Sequence, residues 1–225
     1  MEVSDLNVTL DGAPVLTGLN FSVSRGEFLT ILGPNGSGKT VLLKVLLGLL
    51  PYQGRLRWRE KPRIGYLPQD FHPQAVKSMP LTVADFFRLK SLPAAAARPQ
   101  LEQVGLDAGI LNKRAGLLSG GEFQRMLIAW VLASDPNVLL LDEPTTAVDV
   151  AGGATIYSLL NAIWRARNLT IFNVTHDLNI VLAYSSHVLC LARARHICYG
   201  PPREALTPEV LQAMYGEKVK HYTHG

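Results

Sequence analysis

The chain has 225 residues, 48% hydrophobic and 18% charged, which fits one α/β domain with a small appended subdomain and excludes a disordered chain or two large domains. Its net charge of +4 at pH 7 allows an acidic partner surface but does not require nucleic acid. The two cysteines, Cys190 and Cys198, make no disulfide framework, which suits a reducing compartment. The N-terminus lacks the features of a signal peptide, and no apolar stretch reaches the roughly 20 residues of a membrane span. We therefore expect a soluble, cytoplasmic protein.

The first part of the chain predicts three strands and a helix. Residues 6–10 and 15–23 have strand patterns, and the turn signal Asp-Gly-Ala-Pro at residues 11–14 separates them. Residues 28–32 are a continuous apolar run typical of a buried strand, and residues 41–47 are typical of a helix.

Between this buried strand and this helix lies a glycine-rich octet, residues 33–40, which fits the pattern G-x-x-x-x-G-K-[ST] without a mismatch. Its glycines let backbone N–H groups point at phosphate oxygens, and the start of the helix adds its positive end. Lys39 is placed to reach the β- and γ-phosphates, and the Thr40 hydroxyl to coordinate Mg²⁺. The alternative, a glycine turn with an incidental lysine, does not account for the whole octet in this context. The octet therefore predicts nucleoside triphosphate binding by Gly33, Pro34, Asn35, Gly36, Ser37, Gly38, Lys39 and Thr40.

Two short strands are predicted after the helix. Residues 55–59 alternate strictly, with three arginines on one face and Leu56 and Trp58 on the other, which favours an exposed strand over an anion-binding patch. Residues 64–68 predict the second strand, which delivers Gln69 at its end.

From about residue 70 to residue 118 the strand pattern stops, which predicts a helical insert. Residues 81–87 indicate a helix that presents Val83, Phe86 and Phe87 on one face. Further along we expect a proline-bounded break at residues 93–99, followed by a short helix at residues 100–105. We assign a core to about residues 1–69 and 136–215, a helical subdomain to about 70–135, and a polar tail to 216–225.

The rest of the chain alternates helices and strands. A helix is predicted after Ser119 up to the stop signal at residues 135–136, and a continuous apolar strand at residues 138–141. The later predictions are a helix at 151–167, a strand at 169–174, a helix at 178–184, a hairpin of 188–191 with 196–198, and two short C-terminal helices.

Two carboxylates, Asp142 and Glu143, follow the apolar strand directly. In a chain with a phosphate-binding loop, this places acids where Mg²⁺ and the γ-phosphate are expected. Asp142 suits Mg²⁺ through a bridging water, since Mg²⁺ keeps several waters, and Glu143 suits a general base that activates the attacking water. An ordinary acidic turn is the alternative, and the four apolar residues before the pair weaken it.

Gln69, Ser119 and His176 are weak signals alone, but their order along the chain is specific. Together with the octet and the two acids, they resemble the ATPase subunit of ABC transporters over nearly the whole chain. The segments that carry this resemblance are Tyr-Leu-Pro-Gln at 66–69, the signature Leu-Ser-Gly-Gly-Glu at 118–122, Leu-Asp-Glu-Pro-Thr at 141–145, Val148-Asp149 of the D-loop, and Thr-His-Asp at 175–177.

The resemblance implies a P-loop ABC cassette with a mostly parallel core sheet, an N-terminal antiparallel β part and a helical insert. It implies two identical cassettes packed head to tail, with each ATP held between the octet of one chain and Leu118, Ser119, Gly120, Gly121 and Glu122 of the other. His176 is expected to contact the γ-phosphate, and Gln69 to link the water and the helical insert. The implied ligands of Mg²⁺ are Thr40, Gln69 and Asp142, and Leu10 and Val15 are expected beside the nucleotide.

The resemblance also implies partners and a location. An integral-membrane permease is expected to dock near Gln69 and the helical subdomain, at the cytoplasmic face of the inner membrane. An extracytoplasmic metal-binding protein is an indirect partner, and no nucleic acid is expected.

Two positions depart from the pattern of this family. Leu10 stands near where an aromatic residue usually stacks on adenine, and Glu122 stands where glutamine is commoner. The first departure puts the strength of base recognition in doubt.

Other nucleotide-binding classes explain less of the chain. A P-loop kinase or GTPase shares residues 33–40 but has no reason to carry residues 118–122. Soluble ABC ATPases that act on ribosomes or DNA usually have two cassettes or long coiled-coil insertions, and this sequence has neither. Because exporters often fuse the cassette to membrane spans, an importer subunit is favoured.

The cargo prediction is zinc, because the chain looks most like the ATPase subunit of bacterial zinc importers within the zinc/manganese/iron group. The likeness rests on the short segment between Trp58 and Ile64, on residues 80–83, on the 188–198 hairpin and on residues 222–224. Manganese or iron is the alternative, since separate subunits set the cargo.

A metal site in this chain itself is not favoured. Strand alternation places His187 and Cys190 on opposite faces, which argues against a cluster with His196 and Cys198. His221 and His224 in the tail could bind zinc weakly, for sensing at most.

Overall fold

The computed structural model describes residues 1–69, 71, 76, 79–91, 93–145, 148, 150–192 and 195–216. Its strands are β1 (Glu2–Leu10), β2 (Ala13–Ser22), β3 (Phe28–Leu32), β4 (Gln53–Arg57), β5 (Ile64–Leu67), β6 (Val138–Asp142), β7 (Thr170–Thr175), β8 (His187–Ala192) and β9 (Arg195–Gly200). Its helices are α1 (Lys39–Leu46), α2 (Val83–Arg88), α3 (Ala94–Gln103), α4 (Gly120–Leu132), α5 (Val150–Arg167), α6 (Leu178–Tyr184), α7 (Pro202–Ala205) and α8 (Pro208–Tyr215). Short 3₁₀ turns at Ala108–Asn112 and Ala115–Leu117 come before α4.

Contacts within the chain define two units. The first contains Met1–Pro62 together with the described residues from Asn168 onward, and the second contains Arg63–Arg167. The predicted helical subdomain, residues 70–135, lies within the second unit and stays a prediction as a domain of its own.

The N-terminal part of the first unit is an antiparallel sheet with the strand order β2-β1-β4. Leu6 pairs with Leu19 and Val8 with Leu16, and all four side chains are buried. The alternation of buried and exposed residues along β1 and β2 is the pattern that predicted these strands.

The rest of the sheet structure in the first unit is parallel around β3. This strand pairs in parallel with β7 on one side and with β8 on the other, and β9 runs antiparallel to β8. Every residue of β3 and β7 is buried, as expected for parallel strands that are covered on both faces. The mostly parallel core and the antiparallel N-terminal part confirm the predicted fold class.

The second unit combines a parallel strand pair with helices. β5 pairs with β6, with Leu67 opposite Leu141, and α2, α3 and α4 pack against one another. Val83, Phe86 and Phe87 of α2 are all buried, which confirms the predicted face of this helix. The capping box of Thr82 and Asp85 fixes the start of α2.

The predicted break at residues 93–99 is wrong. α3 begins directly after Pro93, its N-cap, and continues through Pro99 to Gln103. Four consecutive alanines, residues 94–97, form the first turn of α3, and alanine is the strongest helix former. Their propensity, together with the packing of α3 against α4, favours the helix despite Pro99.

The expectation that the two cysteines stay separate is also wrong. Cys190 and Cys198 face each other on β8 and β9 with Cα atoms 4.9 Å apart, and they form a disulfide. Facing positions on paired antiparallel strands bring two Cα atoms into the range that a disulfide requires. The two cysteines are therefore paired with each other in the folded chain.

Two further expectations concern the tail and membrane spans. The tail with His221 and His224 lies outside the described residues, as does Asp149. Within them, no helix combines the length and the apolar character that a membrane span requires.

Candidate functional site

The glycine-rich octet connects β3 to α1. Gly36 and Gly38 have φ values of 78° and 95°, a left-handed backbone that glycine adopts without strain. Gly38 is the N-cap of α1, and no side chain caps this end. The first N–H groups of α1 are thus directed toward the loop, where the helix dipole favours an anion.

Two glycines of the octet have no space for a side chain. A Cβ on Gly33 would lie 2.4 Å from the carbonyl oxygen of Leu191 and 2.5 Å from Ser37 Oγ. A Cβ on Gly38 would lie 2.6 Å from Leu16 Cδ2 and 3.1 Å from the carbonyl oxygen of Val15. β2 and β8 therefore pack closely against the loop and fix its course.

Lys39 lies within the loop, with only 7% of its surface exposed. Its ammonium donates hydrogen bonds to the carbonyl oxygens of Gly33, at 2.9 Å, and Pro34, at 3.0 Å. The buried Oγ of Ser37 has no hydrogen-bond partner among the described residues. A buried cation and an unsatisfied hydroxyl in one loop fit a phosphate group, which offers acceptor oxygens to both.

His176 is placed at the same edge of the sheet as the octet. Thr175, the last residue of β7, lies opposite Leu32, the last residue of β3. Gly33 and His176 are the next residues of the two parallel strands, and the His176 side chain is exposed. Asp177 then caps α6, since its side chain accepts a hydrogen bond from Asn179 N at 2.8 Å.

Leu10 and Val15 lie on either side of the turn between β1 and β2. Leu10 pairs with Ala13, and both Leu10 and Val15 are half-buried. Of the two, Val15 is the residue whose carbonyl oxygen lies beside Gly38.

Gln69 and Glu143 come together in the second unit. Gln69 lies two residues after β5, and Glu143 lies directly after β6, the strand that pairs with β5. Gln69 Nε2 donates a hydrogen bond of 3.4 Å to Glu143 Oε2. Asp142 ends β6 and is 2% exposed. Glu143 has φ of 49°, a left-handed backbone that costs energy for a residue with a side chain and is frequent at functional sites.

The signature segment forms the start of α4. Ser119 is its N-cap: Ser119 Oγ accepts from Glu122 N at 3.2 Å, and Glu122 Oε2 accepts from Ser119 N at 2.9 Å. This capping box leaves Gly120 and Gly121 in the first helical turn, where backbone N–H groups are available to an anion. Leu118, which precedes the box, is buried.

The carboxylate of Glu122 is stabilised in its charged form. The hydrogen bond from the Ser119 backbone N–H is the main cause that lowers the pKa of Glu122, and the Ser119 hydroxyl, Lys113 and Arg125 act in the same direction. Lys113 Nζ lies 3.8 Å from Glu122 Oε1. Sequence reasoning missed Lys113, because nothing in the spacing of residues 113 and 122 marks them as neighbours.

No cluster of three or more histidine, cysteine or acidic side chains suited to a metal ion occurs among the residues that the structure describes. The disulfide removes Cys190 and Cys198 as thiolate ligands. The proposed Mg²⁺ ligands are of a different kind, since Thr40, Gln69 and Asp142 offer the hydroxyl, amide and carboxylate oxygens that Mg²⁺ prefers.

A phosphate-binding octet between a buried parallel strand and a helix, with carboxylates at the end of another buried parallel strand, defines the class of P-loop nucleoside triphosphatases. Residues 16–146 match the protein family described as "ABC transporter". The chain belongs to this family, which confirms the resemblance seen in the sequence. It is an ATP-binding cassette, an ATPase coupled to transport.

Two curated relatives match almost the whole chain. The "Probable metal transport system ATP-binding protein" of Thermotoga maritima is 40% identical over 225 residues, which cover 96% of this chain and 90% of that protein. The "Zinc import ATP-binding protein ZnuC" of Pseudomonas syringae pv. syringae is 39% identical over 216 residues, which cover 95% of this chain and 80% of that protein.

A solved structure shares the fold. The structure of cbiO1 from Clostridium perfringens, described as part of the ABC transporter complex cbiONQ, superimposes with a TM-score of 0.81 at 30% identity. The match covers 93% of this chain and 91% of that one.

Proposed function

We propose that the chain is the ATP-hydrolysing motor subunit of a metal-ion importer and that the imported metal is zinc. The observation that carries the motor assignment is the Gln69–Glu143 contact at the carboxyl ends of two parallel strands, in a chain that also has a complete phosphate-binding loop. The zinc assignment draws its support from a relative named as a zinc import ATP-binding protein, 39% identical over most of the chain.

Binding of ATP begins at the octet. Its backbone N–H groups and the start of α1 bind the β- and γ-phosphates, and the Lys39 ammonium exchanges its carbonyl partners for phosphate oxygens. This exchange retains charge-assisted hydrogen bonds, so the buried cation stays paired in both states. Val15 lies beside the octet and Leu10 beside the nucleotide base.

Thr40, Asp142 and Gln69 would hold Mg²⁺, which would neutralise the negative charge that develops on the phosphate oxygens. The carboxylate of Asp142 is buried, and a bound cation would compensate its charge where solvent does not reach it.

Hydrolysis requires a base for the attacking water. Glu143 accepts a proton from this water while the water oxygen forms a bond to the γ-phosphorus and the bond to the bridging oxygen of ADP breaks. Gln69 orients Glu143 and the water through its amide. His176 stabilises the γ-phosphate from the strand end beside the octet.

The signature segment acts on the nucleotide of a second copy of the chain. Ser119, Gly120 and Gly121 present the N-terminal N–H groups of α4, a donor set suited to a γ-phosphate. A homodimer packed head to tail then has two complete sites, and ATP binding favours the closed dimer while hydrolysis favours the open one.

The transport role implies a membrane partner. The permease docks near Gln69 and the helical subdomain, on the cytoplasmic face of the membrane, and an extracytoplasmic protein supplies the metal to it. Manganese or iron is a second candidate cargo, because the relative from Thermotoga maritima is named for metal transport without a stated metal.

The substitution Glu143→Gln tests the motor assignment. Steady-state ATPase of the purified full-length chain should fall by about 10²–10⁴-fold, the usual contribution of general-base catalysis, while ATP binding persists. Glu204→Gln, at an exposed position of α7, makes the same chemical change as a control. ATPase of Glu143→Gln within twofold of the control would contradict the assignment.

The cargo is tested in cells that lack the gene. Under a metal chelator these cells should grow only when zinc is added, and complementation with the gene should remove this requirement. Growth restored by manganese or iron but not by zinc would overturn the zinc assignment and leave the motor assignment intact.

A further inference from the structure

Three phenylalanines, Phe71, Phe86 and Phe123, form an aromatic cluster in the second unit. The Phe71 ring stacks on Phe123, with centroids 6.1 Å apart and planes 20° apart, and meets Phe86 edge-on at 6.1 Å and 76°. Phe86 and Phe123 meet edge-on at 6.4 Å. These distances and angles are the ones that aromatic pairs favour.

Two members of the cluster belong to helices that are firmly joined. Phe86 lies on α2 and Phe123 on α4, and both are buried. Near the C-terminal ends of these helices, Lys90 Nζ lies 4.0 Å from the centre of the Trp130 ring and donates to Trp130 O at 2.9 Å. Trp130 Nε1 in turn donates to Phe86 O at 2.7 Å.

The N-terminal side of α2 is also tied to the segment that leads into α4. Val83 N donates to Lys113 O at 3.0 Å, and Ala115 N donates to Leu81 O at 2.9 Å. With joints at both ends, the spacing of α2 and α4 around the aromatic cluster is fixed.

Phe71 connects this pair of helices to the catalytic carboxylate. It follows Gln69 by two residues, so their Cα atoms are separated by at most about 7 Å. The Gln69 amide contacts Glu143 at 3.4 Å, and Phe123 follows Glu122, the last residue of the signature segment. Phe71 is thus two residues from the Gln69–Glu143 contact along the chain, and its ring stacks on a residue near the start of α4.

We propose that Phe71 is a positioning residue: its ring, held by Phe86 and Phe123, sets the position of the Gln69 amide against Glu143. The position of this amide then depends on the packing of α2 and α4. This inference rests on the proposed roles of Gln69 and Glu143 in hydrolysis. Gln69 itself is exposed, and its amide contacts Glu143.

The physical argument concerns the shape and stiffness of the ring. Phe71 has two rotatable side-chain bonds and fits flat against Phe123, so any shift of α4 displaces it. A leucine fills part of the volume but lacks the flat face, so it holds the position of Gln69 less firmly. Misplacement of a catalytic group by about 1 Å can reduce a rate by about 10²-fold.

The test compares Phe71→Leu with Phe87→Leu. Phe87 lies on α2 beside Phe86, is fully buried, and has no ring contact with the cluster members in the structure. We expect Phe71→Leu to lower kcat by about 10- to 100-fold with KM for ATP changed by less than about twofold, because the octet is untouched. Phe87→Leu should lower the melting temperature as much or more but leave kcat near that of the unaltered chain. Phe71→Tyr keeps the aromatic ring, and its kcat should stay near that of the unaltered chain.

A double-mutant cycle distinguishes positioning from a general loss of structure. If Phe71 acts through Gln69, Phe71→Leu combined with Gln69→Ala should be no slower than Gln69→Ala alone. Additive losses, a normal kcat for Phe71→Leu, or equal losses in Phe87→Leu would each overturn the inference. Glu143→Gln is assayed in parallel: normal activity of that variant contradicts the proposed function, whereas its inactivity beside a normal Phe71→Leu contradicts only this inference.

Discussion

Thr175 lies opposite Leu32 in the parallel pairing of β7 with β3. Because each strand ends at this residue pair, the exposed His176 and the phosphate-binding octet leave the sheet at one edge. This relationship places a polar side chain at the strand end beside the loop. It gives His176 a geometric reason to act on the γ-phosphate, beyond its motif.

His176→Ala is the first prediction. Removal of one group that stabilises transition-state charge typically lowers kcat by about 10²–10³-fold, and we expect a loss of this order with little change in ATP binding. Steady-state ATPase and calorimetric ATP titration measure the two effects. His196→Ala, a half-buried histidine on β9, serves as the control, and similar losses in both variants would argue against a specific role of His176.

Gly33→Ala is the second prediction. The added methyl group would lie 2.4 Å from the Leu191 carbonyl oxygen, which is backbone and cannot rotate away, so the octet must shift. We expect ATP binding to be lost while the chain still folds. Gly153→Ala, within α5, is the matched control, because its added methyl group would lie at an ordinary contact distance of 3.6 Å from the Thr145 side chain. Nucleotide titration of both variants decides the matter: equal affinities would show that the octet tolerates the methyl group.

Local motifs and regular patterns were the parts of the structure that the sequence could predict. The octet needs only residues 33–40 and the strand and helix around it, and α6 begins and ends at the predicted residues. Contacts between distant residues could not be predicted in this way. Phe71, Phe86 and Phe123 have no regular spacing, and their meeting depends on how α2 and α4 pack.

The two errors have the same physical origin. Pro99 is a helix breaker in isolation, but the alanines before it and the packing of α3 against α4 favour the helix. Cys190 and Cys198 were assigned to the correct hairpin, but their exact pairing depends on an irregularity in the register between Cys190 and Leu191. A pattern of residue types does not reveal a register shift of this kind.

Leu10→Tyr is the third prediction. Leu10 is half-buried at the end of β1, and an aromatic ring there would stack on the base and add roughly 0.5–1.5 kcal/mol beyond the area that it buries. ATP binding should therefore tighten by about two- to twelvefold, since 1.4 kcal/mol corresponds to a factor of ten. Calorimetry with ATP and GTP would show whether selectivity rises as well. Unchanged affinity would mean that another residue already stacks on the base.

Glu122→Gln is the last prediction, and it concerns stability against pH. The pKa of Glu122 is lowered in the folded chain, chiefly by the hydrogen bond from the Ser119 backbone N–H. The unfolded chain therefore binds a proton at Glu122 more readily, so the charged carboxylate stabilises the fold above about pH 4.3, the ordinary glutamate value. This stabilisation is lost as pH falls through the lower folded pKa.

Glutamine at position 122 keeps the capping box but does not titrate. At pH 7 the variant should lose less than about 1 kcal/mol of unfolding free energy, the usual value of a charge at an exposed helix start. Between pH 7 and pH 3 its stability should decline less than that of the unaltered chain. Urea unfolding at a series of pH values measures both, with Glu102→Gln, on the exposed surface of α3, as a control of equal charge change. A decline as steep in Glu122→Gln as in Glu102→Gln would show that the capping carboxylate is not the group responsible.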